Sequence, residues 1–185
     1  MRKNLGANPY LYPMPVLILA AYDESGIANA MNAAWGCIAD TNRIGVYVTA
    51  AHKTMKNILN TGAFTVSIAN ASNVLAADYV GIVSGNNVPD KVEKAGWHTT
   101  KSEFVNAPII DELPMALECK LVSFDTESEL LVGEIVNICA DESILTEDKI
   151  DPSKLEPITY DPVNHHYLTL GKIVGNAFSD GKQLK

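Results

Sequence analysis

The sequence has few charged residues for its length. Asp, Glu, Lys and Arg make up 19% of the 185 residues, while 47% are apolar. A composition this apolar excludes a disordered chain. The length predicts a single domain over residues 1–185. The shortage of charge suggests that a partner subunit or a bound cofactor covers part of the surface.

Basic blocks and long apolar runs are also missing. The chain carries 14 Lys and Arg against 22 Asp and Glu, a net charge of −8. Without a basic patch to neutralise phosphates, non-specific binding to nucleic acid is excluded. The apolar run at residues 16–21 is too short for a signal peptide or a membrane span. We therefore expect a cytoplasmic protein with no nucleic-acid partner and no membrane segment.

Metal and redox motifs are absent. The three cysteines, Cys37, Cys119 and Cys139, are far apart and form no Cys-x-x-Cys pair, so we predict neither a zinc site nor a disulfide. All three are expected to be reduced and partly buried. His165 and His166 are adjacent, and because neighbouring side chains of an extended segment diverge, we expect a surface pair rather than a metal site.

Common catalytic signatures are missing as well. The chain has no Gly-x-Gly-x-x-Gly after a strand, no phosphate-binding P-loop and no nucleophile elbow. Its carboxylates are scattered, and none has the apolar strand setting expected of a general acid or base. The sequence therefore predicts no catalytic residue.

Alternating and continuous apolar runs predict a mainly β protein. Residues 44–49 and 63–69 alternate as strands with one buried face, and residues 16–21 read as a buried strand followed by another near Ile27. The chain also favours a hairpin across residues 125–128. Two helices are predicted, one capped by Thr54 and stopped by Gly62, the other over residues 73–83. Strands this closely spaced predict an antiparallel small barrel with peripheral helices. Residues 141–185 are expected to form a tail on the barrel or on a neighbouring subunit, with a last ordered stretch at residues 167–175.

One candidate site lies where a strand runs into the first helix. A helix N-terminus offers free N–H groups and the positive end of a dipole, which suit an anion. Thr54 adds a hydroxyl, Lys53 and His52 add positive charge, and Asn57 adds an amide one turn later. The set suits a phosphate monoester. The alternative is that Thr54 only caps its helix and Lys53 is solvated.

A second candidate site is the stretch from Asn29 to Gly36, which combines two asparagines, four small residues and Trp35. Small side chains let a flat ring approach the backbone, and a tryptophan can wall it. The alternative is an alanine-rich strand with ordinary core packing.

The order of several motifs resembles the flavin reductase-like, FMN-binding split-barrel family, within it the flavoredoxins and NAD(P)H:flavin oxidoreductases. The matching pieces, from about Tyr12 to Gly175, are Pro15-Val16-Leu17-Ile18, Asp23-x-x-Gly26-x-x-Asn29 with Trp35, Thr54-x-x-Asn57-Ile58, Asn60-Thr61-Gly62-Ala63-Phe64, Ser84-Gly85 with Asp90-Lys91, Ala107-Pro108, Leu117-Glu118-Cys119-Lys120 and Val132-Gly133-Glu134-Ile135-Val136.

The resemblance implies an antiparallel split β-barrel that forms a homodimer and binds FMN near the subunit interface. It implies that hydride passes from NADH or NADPH to FMN and that the electrons leave to a flavin, a metal chelate or a redox protein. It leaves two alternatives, an electron carrier that does not oxidise the nicotinamide itself and a split barrel that binds a ligand without catalysis. The cofactor residues that it implies are Asn29, Asn32, Ala33, Ala34, Trp35, Thr49, Ala50, His52, Lys53, Thr54, Asn57, Ser84 and Lys91. The sequence departs from relatives that carry arginine or serine at positions 52 and 53, and from those with a basic residue after Ser84-Gly85.

Overall fold

The computed structural model describes residues 1–184, and the predicted mainly β class is confirmed. In chain order the strands are β1 (Met14–Pro15), β2 (Leu17–Tyr22), β3 (Ala28–Ala33), β4 (Gly36–Asp40), β5 (Arg43–Tyr47), β6 (Ala63–Ile68), β7 (Thr99–Lys101), β8 (Pro108–Ile110), β9 (Met115–Asp125), β10 (Leu130–Ala140), β11 (Leu145–Thr146), β12 (Lys149–Ile150), β13 (Ile158–Asp161) and β14 (His166–Thr169). The helices are α1 (Lys53–Thr61), α2 (Val74–Ile82), α3 (Lys91–Lys94) and α4 (Pro152–Leu155), with 3-10 turns at Ala71–Asn73, Glu142–Ile144 and Asp180–Leu184.

The main sheet curls into a split barrel because its two edges are joined by a very short link. Its strand order is β3-β2-β6-β9-β10-β5-β4, and every neighbouring pair is antiparallel. The edge strands β3 and β4 are consecutive in the chain, with only Ala34 and Trp35 between them. Three Cα steps of about 3.8 Å cannot cross a flat sheet of this width, so the sheet must bend until its edges approach.

Strand β2 is apolar throughout because both of its faces are buried. Leu17 and Leu19 pack inside the barrel with Phe64, while Ile18 packs on the outer face in a second cluster that includes Val80 of α2. An alternating pattern arises only where one face of a strand meets water. The predicted buried strand is therefore confirmed.

Strand β6 differs from the prediction, which gave it one buried face. Its outward residues Thr65 and Ser67 are fully buried as well, because the segment containing β7 and β8 covers them. The hydroxyl of Thr65 donates a hydrogen bond of 2.6 Å to the carbonyl of Pro108. The same layer buries Glu118, whose carboxylate accepts from the amide of Asn137. Glu118 is therefore a buried carboxylate of β9 that is paired with an amide donor.

Helix α1 crosses from β5 to β6, as the sequence predicts, and ends at Gly62. Gly62 has a φ of 68°, a left-handed conformation, and its N–H donates to the carbonyl of Ile58. The N-terminus differs from the prediction. The helix begins at Lys53, His52 holds the N-cap position without a side-chain capping bond, and Thr54 is the second helical residue. The prediction that Thr54 caps the helix was wrong.

Part of the 141–185 segment packs on its own chain. Strand β13 pairs with both β1 and β14 in a small antiparallel sheet. Beyond Thr169, where β14 ends, residues 170–175 carry no regular structure, so the predicted ordered stretch at residues 167–175 ends sooner than expected. Within residues 1–184, no helix has both the length and the apolar composition needed to cross a membrane.

Candidate functional site

The N-terminus of α1 forms the centre of the candidate site. His52 and Lys53 stand at its start, where the first N–H groups of a helix have no partner within the helix. The helix has no acidic residue in its first turn, so its own sequence does not neutralise the positive end of the dipole. These features favour an anion at this position.

A buried pair of polar side chains lies beneath this helix end. The hydroxyl of Thr54 donates a hydrogen bond of 2.8 Å to Oδ1 of Asn29, and both residues are almost completely buried. The amide Nδ2 of Asn29 has no hydrogen-bond partner among residues 1–184. A buried donor without a partner is costly in a folded protein and calls for an explanation. Thr54 therefore serves to fix Asn29 rather than to cap the helix.

The loop after α2 closes against this pair. A Cβ atom added to Gly85 would lie 2.3 Å from Nδ2 of Asn29, so only glycine permits this approach of the loop backbone. The next residue, Asn86, donates from its side chain to the carbonyl of Ala51 at 3.2 Å. The loop is held at both places, and Ser84 therefore lies beside the start of α1.

Lys91 fixes the end of α2 that leads into this loop. Its buried ammonium donates to the carbonyls of Val80 and Val83, each at 2.9 Å. These carbonyls belong to the last turn of the helix, where a cation is favourable. Burial lowers the pKa of Lys91 to about 8. In this structure the lysine stabilises the wall of the site.

Of the two basic residues at the helix start, only Lys53 carries a full positive charge. Partial burial lowers the pKa of His52, and the nearby positive charge of Lys91 lowers it further, so the imidazole is neutral at pH 7. Lys53 lies 3.7 Å from a carboxylate oxygen of Asp23. Asp23 also accepts from two backbone N–H groups in its turn, and these bonds keep its pKa below the ordinary value despite partial burial. Lys53 therefore supplies positive charge at the helix start and already has a counter-ion.

Of the two other predicted asparagines, one lies outside this cluster and one lies beside it. Residues three apart on a strand point to opposite faces, so Asn32 is directed away from Asn29 and donates 3.1 Å to the carbonyl of Ala77 in α2. Asn57 is buried against β2, where its amide lies 3.5 Å from the carbonyl of Ala21. Asn32 therefore lies on the other face of β3 from Thr54. Asn57 lies one turn after Thr54 on the same buried face of α1, and Ala21 pairs with Asn29 across the β2–β3 ladder.

The other predicted residues surround the link between β3 and β4. Ala34 and Trp35 line an apolar groove of about 660 Å³ at the split of the barrel, and Trp35 is 56% exposed. Ala33 packs against the core inside the barrel. Thr49 and Ala50 lie on the exposed connection to α1, and the hydroxyl of Thr49 donates to Glu129 at 3.1 Å.

Sequence reasoning missed three residues that shape the site. Gly85 and Asp23 both occur in the quoted motifs, but nothing in the sequence places Gly85 on Asn29 or Asp23 on Lys53. Glu129 follows a turn and carries no local signal. All three contacts join residues far apart in the chain, which local patterns do not report. The prediction that all cysteines are partly buried was wrong for Cys37, which is exposed on β4.

The histidines and acidic residues of the described chain do not form a metal site. Within the described part of the chain, no three His, Cys, Asp or Glu side chains are close enough to share a metal ion. The ring of His165 bonds instead to the hydroxyl of Tyr160 at 2.7 Å.

Comparison with known families identifies the family and the fold. The model of the flavin reductase like domain matches residues 10–172. The chain belongs to the flavin reductase-like family. The resemblance and the split-barrel fold that the motifs predict are thereby confirmed, and family membership supports a redox role connected with a flavin.

Solved structures of high similarity are described as flavoredoxins. The flavoredoxin of Desulfovibrio vulgaris (Miyazaki F) is 38% identical with a TM-score of 0.93, over 98% of this chain and 100% of that one. The flavoredoxin of Methanosarcina acetivorans is 31% identical with a TM-score of 0.91, over the whole of both chains. An FMN-binding domain of a flavin reductases-like enzyme from Shewanella baltica has a TM-score of 0.79 over 88% of both chains, and at 20% identity it shows the fold alone.

Curated relatives add no activity to this identification. The chain spans about half the length of the first of them, which are uncharacterized proteins from Aeropyrum pernix, Aquifex aeolicus and Bacillus subtilis.

Proposed function

We propose that this flavin reductase-like protein binds FMN and transfers reducing equivalents from NADH or NADPH to a flavin, a metal chelate or a redox protein. The observation that carries the proposal is the anion cradle at the start of α1, with the unpartnered amide of Asn29 beneath it and Lys53 at its edge. A flavin that carries a phosphate matches this cradle better than one that does not.

The residues of the site fit FMN in three respects. Free N–H groups at the start of α1 suit the phosphate. Asn29 supplies a buried donor that no other described residue uses, and the approach of Gly85 keeps this side of the site narrow. Ala34 and Trp35 supply the small and the aromatic surface that a flat ring needs.

The chemistry in such a site belongs to the cofactor. When bound, the flavin supplies the capacity to accept a hydride and release electrons, so the protein needs no acid or base of its own. The residues of this chain bind and orient. Lys53 and the helix N-terminus hold the phosphate, Thr54 fixes Asn29, and Lys91 holds the loop that contains Ser84 and Gly85.

The first experiment is the absorption spectrum of the purified protein, which should show bound flavin or regain it when FMN is added. The Lys53→Met variant should bind FMN about tenfold more weakly, because a charged hydrogen bond to phosphate is lost, while riboflavin affinity stays unchanged. Lys101→Met, the same charge change on β7, is the matched control. Equal losses for FMN and riboflavin would place the phosphate elsewhere, and failure to bind either flavin would refute the proposal.

Reduction by nicotinamide is tested separately. In an anaerobic stopped-flow experiment, an NAD(P)H-dependent reductase is reduced by NADH or NADPH within its turnover time. A bound flavin that neither nucleotide reduces would leave FMN binding intact and refute the hydride transfer.

An electron carrier is the second candidate, and the similarity to two proteins described as flavoredoxins over the full length of the chain favours it. Such a carrier would bind FMN in the same site and exchange electrons with a redox protein. It would show no reduction by nicotinamide and a rapid reduction by a reduced protein donor.

We also propose a homodimer. Large apolar side chains remain exposed around the barrel split, among them Trp35 at 56%, Ile38 at 63% and Tyr47 at 52%. Exposed apolar surface that lies around one groove is typical of a protein interface. Sedimentation velocity should give twice the mass of the chain at micromolar concentration, and a monomer throughout would refute the dimer.

A further inference from the structure

The groove at the barrel split is open and apolar. It has a volume of about 660 Å³, and none of its lining residues is charged. Its walls include Leu11 from the N-terminal segment, Cys37 from β4, and Leu130 with Val132 from β10. Cys37 is exposed there. A cavity with this lining suits apolar side chains rather than a charged ligand.

The C-terminal tail, residues 170–184, carries apolar side chains without neighbours. Ile173 is 90% exposed, Val174 92% and Phe178 99%. A local turn fixes the position of Phe178. Asp180 accepts a hydrogen bond of 2.8 Å from the backbone N–H of Asn176 and closes the turn with Phe178 at its tip. Three large apolar side chains that stay almost fully exposed in a locally shaped tail indicate a surface outside that chain.

Position and charge indicate where that surface lies. The tail follows β14, which pairs through β13 with β1, and Met14 and Pro15 of β1 line the groove. The tail therefore leaves the small sheet two strands away from the groove-lining strand β1, and none of residues 170–184 lines the groove of the same chain. Residues 170–185 contain three lysines and one aspartate, which leaves the remaining chain with 11 basic and 21 acidic residues. The net charge of the tail is therefore complementary to that of the body of a second copy of the chain.

We propose that the tail of each subunit docks in the barrel-split groove of the other subunit, with Ile173, Val174 and Phe178 as its apolar anchors. The inference rests on the dimer proposed above. A docked tail would also bring residues of the partner subunit to the candidate site, because Ala34 and Trp35 line the same groove. The tail of the partner would then cover one side of the flavin-binding region.

Cys37 provides a reporter of the docked tail. In a Cys139→Ser background, Cys37 is the accessible thiol, because Cys119 is fully buried and burial raises its pKa to about 12. The rate of maleimide addition to Cys37 in the full-length protein measures whether the groove is covered. The test variant replaces the three anchors by serine, and the control variant replaces Leu75 and Ile82, which are 84% and 75% exposed on α2.

We expect the test variant to react at least tenfold faster than both the parent and the control at micromolar concentration. Diluting the parent into its monomer range should remove the protection. Mixing the test variant, which keeps Cys37, with a Cys37→Ser chain that has the native tail should restore protection, because the tail acts on the other subunit.

Equal rates in parent and test variant would overturn the docking, as would protection that survives dilution to monomer, which would mean that the tail covers its own groove. A parent that is monomeric at all concentrations would overturn both the docking and the dimer. Flavin binding is measured on the same samples by absorbance, so a protein without flavin but with a protected Cys37 would refute the proposed function and support the docked tail.

Discussion

At the scale of the residue, the site depends on side chains whose bonds the sequence does not show. Thr54 lies at a helix start, where a capping role is the ordinary expectation, yet its hydroxyl bonds to Asn29 from another element. Lys91 lies at the start of a short helix, yet its ammonium serves the end of α2. In both cases a long-range partner replaces the local one, because burial leaves no water to satisfy the group.

Replacing Thr54 by alanine should lower the free energy of unfolding by about 1–3 kcal/mol. The substitution removes the only hydrogen bond that the side chain of Asn29 makes among residues 1–184. Thr54→Ser keeps the hydroxyl and serves as the control in a urea denaturation experiment. Equal losses in both variants would show that the methyl group, rather than the bond to Asn29, accounts for the effect.

Lys91 should make the stability of the protein depend on alkaline pH. Burial lowers its pKa from 10.5 to about 8, so between these values the unfolded chain holds a proton that the folded protein has released. Stability therefore rises with pH across this window, by up to about 3 kcal/mol, since burial of the charged form opposes folding at lower pH. The difference in unfolding free energy between the native chain and Lys91→Met, measured at several pH values, isolates this group. A difference that stays constant from pH 8 upward would contradict the assignment.

At the scale of the element, the ends of strands and helices form the site while their middles form the core. The start of β3, the start of α1 and the end of α2 meet through Asn29, Thr54 and Gly85. The middle of β2 and β6 fills the interior of the barrel. This division lets the loops carry binding groups without loss of core packing.

Gly85→Ala tests the contact between the α2 loop and β3. The added methyl would lie 2.3 Å from Nδ2 and 2.7 Å from Oδ1 of Asn29, and the hydrogen bond from Thr54 holds that amide in place. The loop must move away, and FMN affinity should fall about tenfold or more, measured by quenching of flavin fluorescence. Gly181→Ala is the control, because its added methyl meets no atom within 4 Å and Gly181 does not line the groove. Unchanged affinity in Gly85→Ala would show that the loop does not border the ligand.

At the scale of the whole molecule, a short link between two strands closes the barrel, but part of the surface of the barrel stays uncovered. The short link of Ala34 and Trp35 brings edge strands β3 and β4 together, and yet the face around β4 stays apolar and exposed. An uncovered sheet edge with apolar side chains invites association with another chain. The low charge content of the sequence is explained at this scale by the subunit and cofactor surfaces that we propose.

Ile38→Asp should separate the proposed dimer into monomers. Ile38 is 63% exposed on edge strand β4, and a charge there would have to be buried at the interface without a partner. Sedimentation velocity should show the monomer while circular dichroism shows an unchanged fold. Ile27→Asp, at a residue 51% exposed before β3, serves as the control. A dimer that withstands Ile38→Asp would place the interface away from β4.

The order of elements could be predicted from the sequence because it depends on local patterns. A continuous apolar run indicates β2, alternation indicates β5 and β6, and Gly62 indicates the end of α1. The two buried faces of β6 could not be predicted, because Thr65 and Ser67 look like solvent-facing residues until the segment of β7 and β8 covers them.

The candidate site was predicted in part. The helix start at residues 52–54 and the nearby Asn29 follow from the quoted motifs. The placement of Asn32 on the opposite face depends on strand period and on α2, which lies beside that face. The resemblance named a lysine at position 91, but only the folded chain shows that its ammonium binds the carbonyls of α2.

The sequence by itself determined the mainly β class, the family and the position of the helix start that we propose as the anion site, because each of these depends on residues close together in the chain. The tertiary structure alone decided that Asn29 has a buried donor without a partner among residues 1–184, that Gly85 closes on it, and that an apolar groove lies at the barrel split. These features join residues distant in sequence. Long-range packing sets such contacts, and no local pattern of residue types encodes it.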